Sequence, residues 1–222
     1  MLLFAWAALP EPAYRVPGQL LEAAFGGQHS SLVGHVVSLL PLFGAVTCLA
    51  VRLSESDGGR IHLILLRRGS TLRWFVPAAG RGGLLLLTTT ALTVTAALAL
   101  DAALTGGGTS SSPSAFAAGP WPSVGLLAGA YLLVGCCLAA LMLLLFWARG
   151  TVQEWPLALL AWVLLSYPLM TPRTEWNPLA AHSVEPGTPP APQMLVPPAL
   201  LLLVLGLVLA VVMRRHRVPG ER

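Results

Sequence analysis

The sequence predicts an all-α integral membrane protein: a polytopic bundle of five to six transmembrane helices with a short amphipathic cytoplasmic helix. Three observations lead there. Apolar residue types make up 55% of the 222 residues and charged types only 10%, where a soluble domain of this size carries about a quarter charged residues. The charges are missing from several long runs and gathered in short clusters between them, as in chains whose solvent is lipid. The basic clusters fall in alternate loops. All 13 basic residues are arginines, which reads as a GC-rich coding bias. Because they flank apolar runs, topology explains the net charge of +4 better than nucleic-acid binding does. Residues 1–222 are read as a single transmembrane domain with no room for a second, soluble one.

A spanning helix needs about 20 apolar residues, and four segments supply them: 31–53, 82–104, 124–147 and 193–213. A fifth, 155–171, is at the short end of that range and is flanked by Trp155 and Tyr167, residues that suit membrane interfaces. Residues 1–9 are apolar, but as a helix they extend only about 13 Å and cannot cross a hydrocarbon core of about 30 Å. They read either as the outer half of a first helix or as a segment dipping into one leaflet, ended by Pro10, Pro12 and Pro17. No positive n-region precedes them, so a signal peptide fits poorly.

The arginines set the orientation. Arg60, Arg67, Arg68 and Arg73 lie between the spans at 31–53 and 82–104, with Arg52 and Arg81 at the borders. Arg149 follows the next inward span, and Arg214, Arg215, Arg217 and Arg222 follow the last. The loops between are poor in charge: 105–123 has none, 172–192 has only Arg173 among basic residues, and 10–30 only Arg15. This bias puts 54–81, 148–154 and the C-terminus in the cytoplasm of a multi-pass protein of the cell membrane. The outer loops are rich in Gly, Ser and Pro, as extended connections are. No internal repeat relates the two halves, which disfavours an inverted-repeat carrier.

Ionisable residues inside spans are functional candidates. His35 lies just inside one span and Asp101 near the outer end of the next. Both read as shallow enough to be solvated or to snorkel, and their similar depth leaves a His–Asp pair open. Thr88, Thr89, Thr90, Thr93 and Thr95 make a polar patch that serves either as packing glue or, more sharply, as the lining of a substrate path. Pro41 should kink its span and free a carbonyl, whereas Pro197 and Pro198 suit the start of a helix, where missing donors are tolerated. Cys48, Cys136 and Cys137 lie inside apolar runs with no His or carboxylate nearby in sequence, so they read as small packing residues and not as metal ligands.

In the longest cytoplasmic segment, residues 60–76 read RIHLILLRRGSTLRWFV. Ile61, Ile64 and Leu65 fall at helical spacing, Arg67, Arg68 and Arg73 flank a Gly69-Ser70 break, and Trp74 and Phe75 lead towards the next span. The pattern predicts a short amphipathic helix along the inner membrane face, then a turn and re-entry. Ser70 is placed to cap the second helical piece. The plain reading is topological anchoring; the functional one is docking of a cytoplasmic partner.

An apolar stretch, then LLRRGSTLRW at 65–74, then a Gly/Ala/Leu-rich span resembles the first cytoplasmic loop of six-helix permease subunits of ABC exporters. The six-span layout and the Pro-rich outer stretch before the last span are also similar. The resemblance implies a coupling segment in which Arg67, Arg68, Ser70, Leu72, Arg73 and Trp74 dock on a separate ATP-binding-cassette subunit. It further implies a second permease chain, identical or not, as partner. Where the family has a full first helix behind an interfacial segment, this chain shows only residues 1–9. There is no Walker A motif, HExxH, GxSxG or pair of carboxylates on a helix face, so an enzyme is not expected and no cofactor is called for. The expected function is the permease subunit of an ABC-type exporter. The alternative is a non-transporting accessory, immunity or assembly protein.

Overall fold

The computed structural model describes residues 32–57, 71–105, 120–149, 154–167 and 192–215. These form five α-helices: α1 (Leu32–Asp57), α2 (Thr71–Thr105), α3 (Pro120–Arg149), α4 (Trp155–Ser166) and α5 (Val196–Arg215), the last preceded by a 3-10 turn at Pro192–Leu195. The protein is an all-α, polytopic membrane fold. Four of the helices (α1, α2, α3 and α5) carry apolar windows long enough to cross a bilayer. In hydrocarbon every backbone N–H and C=O has to be satisfied within the segment, and a helix does this locally.

α3 is the centre of the bundle. It packs most extensively against α5 and also against α1 and α2. Its span is 61% buried, whereas those of α2 and α5 are each 17% buried. Those two outer helices present Leu84, Leu87 and Leu92, and Leu200, Leu203 and Leu207, to the surroundings. Such faces need no protein partner when lipid is the solvent. Two glycines make room for leucine side chains of the neighbouring helices. A Cβ at Gly135 would meet Leu42 Cδ2 at 2.8 Å and Leu86 Cδ2 at 3.0 Å, and one at Gly82 would meet Leu49 Cδ2 at 2.9 Å.

The same contacts fix helix directions. Tyr131 reaches Ser38 and Gly135 sits against Leu42, so α1 and α3 run parallel. Gly82 lies against Leu49 while Leu86 lies at the Gly135–Leu42 level, so α2 runs antiparallel to both. Trp155 bonds Thr47 and Ser166 bonds His35, so α4 runs antiparallel to α1. Gly129 faces Leu195 and Cys137 faces Pro198, so α5 is parallel to α3. The C-terminal ends of α1, α3 and α5 and the N-terminal end of α2 therefore share one face. Arg52, Arg81, Arg149, Arg214 and Arg215 all occur at that face, as the loop charges suggested.

Three features depart from expectation. α4 has 12 residues, about 18 Å of helix, so the expected fifth span at 155–171 is not a full helical crossing. Tyr167 is extended at φ −74° and ψ 129°, because the following Pro168 disfavours helical backbone in the residue before it. Trp155 and Tyr167 are not interface anchors either; both are buried against the bundle. Finally, α2 begins at Thr71 and runs unbroken through Pro77, so Leu72, Arg73 and Trp74 belong to the spanning helix and no turn separates them from it. Ser70, Arg67, Arg68, the remainder of the 60–70 segment and residues 1–9 lie outside the described residues. Pro197 and Pro198 open α5 as expected.

Candidate functional site

His35 is the starting point because an imidazole within a span has to find partners inside the protein. It is fully buried, not solvated or snorkelling, because α4 lies over it. Its Nε2 is 2.7 Å from Ser166 Oγ, and Ser166 Oγ is in turn 3.1 Å from the Val163 carbonyl. A serine hydroxyl has one proton. If it donates to Val163 it has to accept from His35 Nε2–H; if it donates to His35, Nε2 is the acceptor. The His35 and Tyr167 rings pack tilted, with centroids 5.7 Å apart.

One turn further along α1, Ser38 Oγ donates to the His35 carbonyl at 2.8 Å, and the Tyr131 hydroxyl donates to the Ser38 carbonyl at 2.9 Å. Pro41 has no N–H to offer the carbonyl one turn back, and α1 nonetheless remains a helix through it. Tyr131 therefore inserts a polar group from α3 just before this interruption in the hydrogen-bond ladder. It is fully buried, and its hydroxyl would be costly there without an acceptor.

Register places the threonines of α2 beside this cluster. Leu86 shares a level with Leu42 and Gly135. One turn towards the His35 end of the bundle, Thr90 shares the level of Ser38 and Tyr131, and a further three residues bring Thr93 to the level of His35. Apart from tyrosines, tryptophans and Cys137, the buried polar side chains among the described residues are His35, Ser38, Thr90, Thr93 and Ser166. They fall in one transverse layer, built from α1, α2 and α4 and joined by Tyr131 of α3. Towards the arginine-bearing face the core is apolar, with Leu42, Val46, Leu49, Leu86, Leu138, Met142 and Phe146.

The expected polar residues divide accordingly. Thr93 turns inward and its hydroxyl bonds the Thr89 carbonyl at 2.9 Å; Thr89 is half-buried. Thr88 and Thr95 are exposed and bond back to Leu85 and Ala91. The threonines are thus not one continuous lining, since a run along a helix points in every direction. Asp101 does not share the depth of His35. It lies two turns beyond Thr93 on α2, about 12 Å along the axis, and its side chain is outside the described residues.

No family model, curated protein or solved structure matches this chain.

Several members of the layer were not singled out from the sequence: Ser38, Tyr131 and Ser166. Each is a polar-tipped residue in an apolar run, and that was the available signal. Ser38 also sits one turn from His35, where a hydroxyl can bond back to the helix. The cysteines divide as expected for adjacent helical positions: Cys137 is buried, with its Sγ 3.3 Å from the Pro198 carbonyl, while Cys136 is half-buried. Cys48 is exposed on α1 and does not pack into the core.

Proposed function

We propose that this chain is the membrane-spanning permease subunit of an ABC-type exporter of the cell membrane. Its C-terminus lies in the cytoplasm, and it works with a separate ATP-binding subunit and a second permease chain. The observation that carries this reading is the continuity of α2. At 35 residues, or about 52 Å, α2 exceeds a hydrocarbon core of about 30 Å. It carries Leu72, Arg73 and Trp74 beyond Arg81 on the arginine-bearing face, and it packs against α1 and α3 inside the bundle. A helix of that kind is a lever. A displacement at its first turn, where a coupling segment would meet a partner, is carried towards the buried core along one continuous helix.

The docking role of Arg67 and Arg68 is tested by co-purification with a candidate ATP-binding subunit. An exposed ion pair contributes roughly 0–1 kcal/mol, so single Arg→Ala changes are mild. Reversal of both charges, Arg67→Glu with Arg68→Glu, abolishes recovery of the ATPase while insertion and topology are retained. Full recovery with the doubly reversed chain would reduce these arginines to topological anchors, and the docking reading would fall.

A further inference from the structure

We propose that the polar layer is a ligand site for the hydroxyl-bearing head of a neutral amphiphile, and that α4 is the lateral gate through which this molecule arrives from the bilayer. As an assignment of cargo it rests on the permease reading; as a binding site it stands without it.

The chemistry of the layer selects the head group. Its side chains are hydroxyls and one imidazole, groups that both donate and accept hydrogen bonds. No formally charged side chain is buried among the described residues, so a phosphate, carboxylate or ammonium would enter with no counter-charge, at high cost. A hydroxyl head matches the donors and acceptors present. Two polar atoms point to a ligand directly. Thr90 Oγ1 and Trp162 Nε1 are buried and have no hydrogen-bond partner among the described residues, although both residues are more than nine-tenths buried. Thr90 departs from its neighbours here, for Thr88, Thr93 and Thr95 all bond back to their own helix. An apolar tail is implied by the outer side of α4, where Leu157, Leu160 and Leu165 are exposed and suit the hydrocarbon from which the molecule would arrive.

The route is lateral because of how α4 is held. It packs against α1, and polar contacts near its two ends join it to that helix, Trp155 to Thr47 at 3.1 Å and Ser166 to His35 at 2.7 Å. Its other side exposes Leu157, Leu160 and Leu165, which suit lipid. Interhelical hydrogen bonds in membranes are weak enough to exchange. When α4 leaves α1, His35 is uncovered to the bilayer.

The test uses the full chain in nanodiscs of zwitterionic lipid and a monoacylglycerol with a dibrominated acyl chain, which quenches tryptophan on contact. Saturable quenching is expected. Unlabelled monoacylglycerol should compete with it, while the same chain with a phosphocholine or carboxylate head should not. Thr90→Val keeps the shape and removes the hydroxyl, so affinity should fall about five- to tenfold, as for loss of one hydrogen bond; Thr90→Ser should bind as the parent does. Trp155→Phe loosens the gate at the end away from the layer and should speed association. Non-saturable quenching, indifference to the head group, or equal affinity in the Thr90→Val and Thr90→Ser chains would overturn the proposal. No ATP-binding subunit is present in this assay, so its failure leaves the co-purification result standing, and the reverse also holds.

Discussion

Removing the His35–Ser166 contact one partner at a time should cost more than removing both. Ser166→Ala deletes a hydroxyl that is fully buried and leaves the His35 Nε2 facing a methyl group. A buried polar group left without its partner costs about 1–3 kcal/mol. The Val163 carbonyl loses only a supplementary bond, since it still accepts the backbone N–H of Tyr167 at 3.0 Å. We therefore expect Ser166→Ala to destabilise the bundle by about 1–2 kcal/mol. His35→Leu removes the imidazole and its ring contact with Tyr167, but leaves a hydroxyl that can still donate to Val163 at 3.1 Å; about 1 kcal/mol is expected. The double variant replaces both polar partners with apolar groups, a change that is close to neutral when shape is kept. Its destabilisation should be smaller than the sum of the singles by about 0.6–1.7 kcal/mol, the range for interhelical bonds in membranes. Reversible unfolding in bicelles, followed by steric trapping or denaturant titration, measures all four corners of the cycle. Strict additivity within about 0.3 kcal/mol would show that the two side chains do not interact, and α4 would then not be docked over His35.

Three further outcomes follow from the packing and topology. Gly135→Leu drives a side chain between Leu42 and Leu86 where even a Cβ would lie at 2.8 and 3.0 Å, and overpacking of this kind costs about 1–3 kcal/mol or more; unchanged stability in the same unfolding assay would contradict the packing of α3 on α1 and α2. Thr47→Val should loosen α4 at its Trp155 end by about 0.6 kcal/mol, read as faster thiol labelling of a cysteine placed at Val163; labelling no faster than in the parent would mean that this bond does not hold α4. With native cysteines removed, a cysteine at position 110 should react only with reagent added from outside and one in the C-terminal tail only from the cytoplasm; the opposite pattern would invert the arginine-based orientation.

The sequence by itself determined where the membrane helices are. His35–Ser54, Phe75–Leu100, Val124–Ala148 and Pro192–Met213 were legible as apolar runs of sufficient length because a bilayer forces each segment to satisfy its own backbone. The arginines marked the face that the structure assembles from the ends of α1, α3 and α5 and the start of α2. What sequence could not say is which side of each helix faces the others. In water the buried side is the apolar one, but lipid is as apolar as a core. Exposed Leu84 and buried Leu86 of α2 are therefore chemically alike and differ only in their neighbours. The same blindness hid the site. His35 was visible as an ionisable residue in a span, but Ser166, 131 positions away, becomes its partner only when α4 folds back along α1. Thr90 parts from Thr88 only through the register that Gly82 and Gly135 allow. Local hydrogen bonding wrote the spans into the chain; van der Waals fit between apolar surfaces, which leaves no periodic pattern, decided their arrangement.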